Sequence, residues 1–249
     1  MSYRLGVDVG GTFTDLLLVN EKTGKTWSAK VPSTPADQSI GVLNGIKRVC
    51  ERAGIDPTEI DHVMHGTTVA TNTVLTGTGA RCGLVTTKGY KQVLQIARSF
   101  VPGGLGGWII YNKSLPMAPL ANTIEADERV GTKGDVVTKL DEAKLRNDLA
   151  GLSGKIEALT VSLINAFAND KHERRIKEIA NEVLPGIPVS LSSEVVPEMQ
   201  EYERTVTTVA NSYVRPRVQK YVHNLQSKLS AKSKDVKLHI LRSDGGLAS

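Results

Sequence analysis

The chain opens with three strand patterns in succession, before any helical pattern begins. The segments YRLGVDVG and FTDLLLVN read as buried strands, and TWSAKVPS reads as a third strand after a turn. Helical spacing first appears from about Asp37, where Ile40, Leu43 and Ile46 recur, and Gly54 is placed to end that helix. Strands and helices alternate afterwards, which predicts an α/β fold. Because strands come first, we expect a mixed sheet with an antiparallel edge.

The remaining patterns contain one insertion and one long helix. RCGLVTT predicts a strand and KGYKQVLQIAR predicts a helix. Residues 99–139 begin with a segment rich in Gly and Pro and show no sustained period, which indicates an inserted segment. A long helix is predicted from about Glu198 to Leu229, and Pro216 should kink or restart it because proline lacks a backbone donor.

Composition narrows the possible functions. Only 4% of the 249 residues are aromatic and the net charge is +5, so a groove for nucleic acid is not expected. The two cysteines, Cys50 and Cys82, form no CxxC pair, which suits a reducing cytosol. No apolar run approaches the roughly 20 residues that cross a bilayer, and no signal-peptide pattern begins the chain. We therefore expect a soluble, cytoplasmic protein that binds neither nucleic acid nor membrane.

The stretch GVDVGGTFTD, residues 6–15, is the first candidate site. Adjacent glycines let backbone N–H groups converge on an anion, because no Cβ blocks the approach. Thr12 and Thr14 add hydroxyl donors for phosphate oxygens, and Asp8, at the end of an apolar strand, is placed to hold Mg²⁺ through water. Asp15 begins the next strand and is expected to aim back at the site. The alternative is a tight turn whose Asp and Thr side chains cap their own backbone.

The stretch HGTTVATN is the second candidate site, at the point where a predicted strand passes into a predicted helix. Ligands bind at such strand ends in open α/β sheets. Thr67, Thr68 and Asn72 are therefore candidate substrate-side residues, although a threonine there also suits a helix N-cap. His65 is either a site residue or a core histidine whose hydrogen bonds are satisfied. His62 should point to the opposite face of the strand, so the two histidines are not expected to bind a metal together.

A third group of polar residues lies early in the long predicted helix, in the segment PEMQEYERTVTT. Glu201 and Arg204 are the candidate functional residues there. Each also suits an ordinary helix start, since acidic residues in a first turn interact favourably with the helix dipole and Glu near Arg commonly forms a surface pair. The final SDGG is a second glycine turn after a strand, and it indicates little by itself.

Six stretches, taken in order, resemble the hydantoinase/oxoprolinase family, whose catalytic subunits belong to the actin-like ATPase superfamily. They are GVDVGGTFTD, HGTTVATNTVL, GLVTTKGYKQVLQIAR, AFANDKHERR, LSSEVVPEMQEYERTVTTVANSYVRP and LRSDGG. They span nearly the whole chain, and their combination is specific to this family. The resemblance implies an α/β, actin-like (ribonuclease H-like) N-terminal lobe over residues 1–197, with the insertion at about 99–139. Residues 198–249 are then the long helix and the start of a second hydantoinase A-type domain.

The resemblance also implies roles for the candidate residues. The first stretch becomes a phosphate loop for ATP, with Asp8 near Mg²⁺, and the second lies in a cleft facing substrate. The candidate catalytic residues are Asp8, Asp15 and His65, the nucleotide-binding residues are Gly10, Gly11, Thr12 and Thr14, and the substrate-side residues are Thr67, Thr68, Asn72, Glu201 and Arg204.

The activity implied by the resemblance is ATP-dependent hydrolysis of a cyclic amide, such as hydantoin, 5-oxoproline or a lactam, through a phosphorylated intermediate. A hydantoinase B-type partner subunit in a hetero-oligomer is implied as well. The alternatives are a ketone carboxylase subunit of the same family and a non-catalytic scaffold lobe. Subunits of the family are much longer and carry a second glycine-rich phosphate motif, which these 249 residues lack. We therefore expect this chain alone to bind nucleotide weakly and to turn over no substrate.

Overall fold

A computed structural model describes residues 3–34, 37–98, 114–231, 236–241 and 246–248. It divides into two compact units. Unit 1 comprises Met1–Gly77 and Arg217–Ser249, and unit 2 comprises Thr78–Pro216. The glycine-rich start of the predicted insertion and most of the SDGG turn lie outside the described residues. Within the described ranges, no helix combines the length and the apolar composition needed to span a membrane.

Strands and helices follow the predicted alternation. The strands are β1 (Tyr3–Val9), β2 (Phe13–Asn20), β3 (Thr26–Pro32), β4 (Ile60–Thr67), β5 (Cys82–Thr87), β6 (Thr123–Ala126), β7 (Arg129–Val130), β8 (Val136–Thr138), β9 (Ala158–Ser162), β10 (Val189–Leu191), β11 (Lys237–Leu241) and β12 (Leu247–Ala248). The α-helices are α1 (Gln38–Ala53), α2 (Val69–Leu75), α3 (Val93–Ile96), α4 (Glu142–Ala150), α5 (Lys171–Val183), α6 (Ser192–Val195) and α7 (Glu201–Ser230). Short 3-10 helices cover Pro57–Glu59 and Leu120–Asn122.

Unit 1 is built on a sheet with the strand order β12-β11-β4-β1-β2-β3. β1, β2 and β3 form an antiparallel meander, whereas β4 pairs parallel with β1 and β11 pairs parallel with β4. This arrangement confirms the predicted mixed sheet. One face packs in the core, where Leu5 and Leu18 join Ile46 of α1 and Leu225 of α7. The alternate residues of β1 and β2 face outward, which places the two aspartates of the first candidate site on the exposed face.

The first helix has the boundaries that its sequence predicts. Asp37 is the N-cap of α1, and its side chain accepts a hydrogen bond from the backbone N–H of Ser39. Gly54 follows the helix in the left-handed conformation, with φ of 69°, and its N–H donates to the carbonyl of Cys50. The predicted start and end of this helix are therefore confirmed.

Unit 2 contains a wholly parallel sheet with the strand order β10-β9-β5-β6, and β7 and β8 form a separate hairpin. One face of β9 packs apolar side chains into the core that includes Ile176 and Ile179 of α5. Toward α7 the contacts are hydroxyl pairs: Thr160 Oγ1 donates to Ser212 Oγ at 2.7 Å, and Ser162 Oγ lies 2.8 Å from Thr205 Oγ1. Buried polar groups are thus paired across this interface, as burial requires.

The helix prediction for KGYKQVLQIAR was wrong in extent, whereas the long helix has nearly its predicted bounds and lacks only the restart at Pro216. The predicted helix KGYKQVLQIAR contains only α3 (Val93–Ile96), because Tyr90 N–H bonds back to Thr87 in a turn and Gly89 N–H donates to Glu125 Oε1. The long helix does not restart at its proline: α7 runs unbroken from Glu201 to Ser230 with Pro216 inside it. Proline's fixed φ is itself helical, so the helix continues with the loss of one backbone bond.

Candidate functional site

The turn between β1 and β2 is closed tightly on one side and open on the other. Gly10 N–H donates to the carbonyl of Phe13 at 3.0 Å, and a Cβ on Gly10 would lie only 3.1 Å from that oxygen. A Cβ on Gly11 would instead lie 3.7 Å from Nδ2 of Asn72, an ordinary contact distance. The space beside Gly11 is therefore open to an incoming group. Room of this kind lets an anion approach the backbone closely.

The start of α2 lies directly beside this turn. Thr68 Oγ1 donates to the carbonyl of Val9 at 3.2 Å, and Asn72 Nδ2 donates to Thr68 Oγ1 at 3.1 Å. Thr67 Oγ1 accepts from the N–H of Val69 at 3.2 Å. Thr68 occupies the N-cap position but makes no side-chain capping bond there. The structure therefore brings the three substrate-side candidates of the second stretch together with the first stretch.

Asp8 and Asp15 stand opposite each other on neighbouring strands of the exposed face. Asp15 forms an ion pair with Lys30. The Nζ of Lys30 lies 2.9 and 2.8 Å from the two carboxylate oxygens of Asp15. Asp8 has no ion pair within the described part of the chain. Both aspartates border an open cavity of about 820 Å³, which also has Arg48 and Arg52 in its lining. Asp8 is thus the carboxylate that is available to an incoming cation or ligand.

Ser33, which the sequence patterns did not single out, ties this turn to the end of β3. Its Oγ donates to the carbonyl of Gly10 at 2.8 Å, and its N–H donates to the carbonyl of Thr12 at 2.9 Å. Thr14, a predicted phosphate contact, is fully buried, and its hydroxyl lies 3.0 Å from Ser33 Oγ. No motif marks this serine, because its partners become neighbours only when β2 and β3 pair.

His65 lies in the core of unit 1, on the opposite face of the sheet from Asp8. It is paired in register with Val7, whereas Asp8 is paired with Gly66, so the two side chains point to opposite faces. His65 is 0% exposed, and Tyr221 Oη lies 2.7 Å from its Nε2. Burial lowers the pKa of His65 to about 4 and raises the pKa of Tyr221. Among the described residues, no hydrogen bond joins the His65 side chain to another candidate, and its catalytic role stays a prediction.

The buried histidine predicts a loss of stability in mild acid. Its folded pKa of about 4 lies below the ordinary histidine pKa of 6.5, so protons bind the unfolded chain more tightly. Its stabilising contribution is complete above pH 6.5 and is lost as the pH falls toward 4, by about 2 kcal/mol at pH 5. His65→Gln should remove this part of the pH dependence, as measured by urea unfolding at pH 7.5 and 5.

The control for this prediction is His223→Gln, which changes an exposed histidine in the same unit. It should leave the difference in unfolding free energy between the two pH values as in the wild type. An identical pH dependence for the wild type and His65→Gln would contradict the assignment of His65 as a buried neutral group.

Glu201 and Arg204 lie in unit 2, whereas the other candidates lie in unit 1. Glu201 is exposed at the start of α7. Arg204 is only 2% exposed, and its guanidinium donates to the carbonyls of Glu198 and Leu163 at 2.9 and 2.6 Å. Burial lowers the pKa of Arg204 from its ordinary value. These contacts hold the start of α7 to the loop after β9, a structural role that its sequence pattern did not indicate.

The residues of the β1–β2 turn fit a nucleotide phosphate and Mg²⁺. Gly11 leaves the space that a Cβ would fill, and the Asn72 amide lies at its edge as a donor. Among the described residues, no group of three or more His, Cys, Asp or Glu side chains could form a protein-only metal site. Mg²⁺ commonly binds through one or two carboxylates together with water and substrate phosphates, which is the role that Asp8 suits.

Comparison with known proteins identifies the family. The model of the hydantoinase/oxoprolinase N-terminal region matches residues 4–184, and the hydantoinase/oxoprolinase model matches residues 204–249. The chain is 34% identical, over 98% of its length, to the acetophenone carboxylase gamma subunit of Aromatoleum aromaticum. It is 31% identical, over 99% of its length, to the caprolactamase subunit alpha of Pseudomonas jessenii. It spans 35% and 36% of the length of these two relatives.

Two solved structures share the fold. The ATP-dependent caprolactamase from Pseudomonas jessenii aligns with a TM-score of 0.88 and 29% identity, over 98% of this chain and 36% of its own. The nucleotide-free acetone carboxylase also aligns with a TM-score of 0.88, at 23% identity, over 99% of this chain and 37% of its own. These similarities confirm the predicted α/β fold of the actin-like ATPase type. Together with the matched family models, they show that the chain belongs to the hydantoinase/oxoprolinase family.

Proposed function

We propose that this chain is the N-terminal part of a longer subunit that hydrolyses a cyclic amide at the expense of ATP. The observation that carries the proposal is the open turn at Gly11 beside Asn72, found in a chain of the hydantoinase/oxoprolinase family. The similarity to an ATP-dependent caprolactamase supports ATP as the nucleotide and a lactam-like ring as the substrate.

The candidate residues of unit 1 have different roles in the proposed reaction. The N–H of Gly10 closes the turn on Phe13, so the N–H of Gly11 and the hydroxyl of Thr12 would bind the phosphates, and Asp8 would hold Mg²⁺. Mg²⁺ held there would offset the charge on the transferred phosphoryl group. Transfer to the amide oxygen turns a poor electrophile into a better one, which water can then attack. Thr67, Thr68 and Asn72 line the substrate side of this site.

The remaining candidates receive supporting roles in the proposal. Asp15 keeps its ion pair with Lys30 and adds negative charge beside Asp8. Glu201 and Arg204 lie at the start of α7 in unit 2, where Arg204 orders the loop after β9. His65 supports the second stretch from the core through Tyr221 and is not among the proposed catalytic groups.

A ketone carboxylase subunit is the second candidate function. The observation that favours it is the 34% identity to the acetophenone carboxylase gamma subunit, over nearly the whole chain. There the phosphorylated group would be an enol or bicarbonate, and the same turn would bind the same nucleotide. Both relatives are named as subunits, which supports a hetero-oligomer. We propose a hydantoinase B-type partner that acts on the activated intermediate.

The experiment that tests the proposed function measures substrate-stimulated ADP release by the full-length subunit with its partner. Hydantoin, 5-oxoproline, a lactam, and a ketone with bicarbonate are supplied separately. Stimulation by one of the cyclic amides is expected. Stimulation by the ketone alone would replace the leading function with the carboxylase, and a complex that releases no ADP with any of the four would contradict both.

A further inference from the structure

We propose that Ser33 is a positioning residue that aims the backbone of the β1–β2 turn at the nucleotide phosphates. The inference rests on the proposed function, because it concerns how the same turn binds phosphate. Ser33 follows β3, more than twenty residues from the turn in sequence, and contacts both of its ends. Its Oγ donates to the Gly10 carbonyl at 2.8 Å and its N–H donates to the Thr12 carbonyl at 2.9 Å.

These two bonds fix the direction of the peptide groups in the turn. A trans peptide is planar, so its carbonyl and the N–H of the next residue point in opposite directions. Because the Gly10 carbonyl points to Ser33, the N–H of Gly11 points away from Ser33. The turn is thereby held with the N–H of Gly11 directed away from Ser33, before any ligand arrives. Because the turn is ordered in advance, ligand binding carries a smaller free-energy cost for ordering it.

The hydroxyl of Thr14 supports the position of Ser33 from inside the core. A serine hydroxyl has one hydrogen to donate, and Ser33 gives it to the Gly10 carbonyl. The hydroxyl of Thr14, at 3.0 Å, is therefore the donor to Ser33 Oγ. Thr14 is 0% exposed, so its predicted contribution to phosphate binding runs through Ser33. The chain Thr14–Ser33–Gly10 thus connects the buried side of β2 to the carbonyl that sets the turn.

The test replaces Ser33 in the full-length subunit. Ser33→Ala should weaken the affinity for Mg·ATP and Mg·ADP between about fivefold and thirtyfold, the effect of losing one or two hydrogen bonds. Affinity for adenosine should not change, since it has no phosphate. Both are measured by calorimetry, well below a melting temperature determined for each variant. Ser33→Thr, which keeps the hydroxyl, should restore most of the affinity, and Thr26→Ala, an exposed change at the start of β3, should have no effect.

The outcomes distinguish the positioning role of Ser33 from the proposed function. If Ser33→Ala binds Mg·ATP with wild-type affinity, the positioning role of Ser33 is overturned. An equal loss of affinity for adenosine overturns it as well, because it would indicate general damage to the protein. Failure of the wild-type subunit to bind Mg·ATP contradicts the proposed function itself. A selective loss of phosphate affinity that Ser33→Thr rescues supports both.

Discussion

Replacing Glu173 with alanine is expected to destabilise the chain by about 3–5 kcal/mol, the usual result of breaking a buried charged network. Glu173 is 0% exposed, and burial raises its pKa. Its carboxylate accepts from Leu163 N–H at 3.0 Å, from Ser192 Oγ at 2.6 Å, and from the N–H and Oγ of Ser193 at 2.9 and 2.7 Å. Removing it leaves the buried donors of Leu163 and Ser192, and the partly buried donors of Ser193, without their acceptor. Urea unfolding monitored by circular dichroism measures the change.

Glu178→Ala is the matched control, on the same helix. Glu178 is exposed and pairs with Arg175 at 2.6 Å, a surface interaction whose loss should change the unfolding free energy by less than about 1 kcal/mol. Glu173→Gln should lie between the two, because an amide keeps one acceptor oxygen. If Glu173→Ala unfolded at the same urea concentration as the wild type, the network would not hold unit 2 together as described.

Asp8→Ala is expected to lower substrate-stimulated ADP release by the full-length complex by about 100-fold to 1,000-fold. The physical reason is the loss of the carboxylate that we propose holds Mg²⁺ beside the transferred phosphoryl group. Asp8 is exposed and forms no ion pair within the described ranges, so the variant should remain folded, with an unchanged melting temperature. The measurement is the rate of ADP release at saturating Mg·ATP and substrate.

Asp61→Ala serves as the control for Asp8. It removes another exposed aspartate from a strand of the same sheet, away from the turn. Its rate of ADP release should match the wild type. A rate for Asp8→Ala close to that of Asp61→Ala would remove Asp8 from the proposed Mg²⁺ site.

The local patterns of unit 1 were sufficient to predict its architecture. Alternating apolar residues fixed the three opening strands, and Asp37 and Gly54 fixed the ends of α1, because each signal acts within a few residues. The proximity of the turn to Asn72 could also be predicted from the sequence, because the carboxyl ends of β1 and β4 meet at one edge of the sheet.

Apart from the restart at Pro216, the wrong or missing predictions depended on contacts distant in sequence. The helix before Ala97 is short because Glu125, from β6, holds the preceding turn. The face on which His65 lies follows from the register of β4 against β1, which its local pattern does not set. Ser33 escaped notice for the same reason: its bonds to Gly10 and Thr12 exist only after two strands have paired. Strand register and hydrogen bonds between distant residues form only in the folded chain, so no short stretch of sequence indicates them.

The central claim is that the turn at Gly11 binds nucleotide phosphate, and a titration of Mg·ATP into the full-length subunit tests it most directly. Gly11 is not among the glycines with positive φ, so its backbone accepts a side chain. Gly11→Val would fill the open side of the turn next to Asn72. The expected result is binding by the wild type and none detectable by a Gly11→Val subunit that melts at the same temperature. Equal affinities for Mg·ATP in the two proteins would contradict the claim.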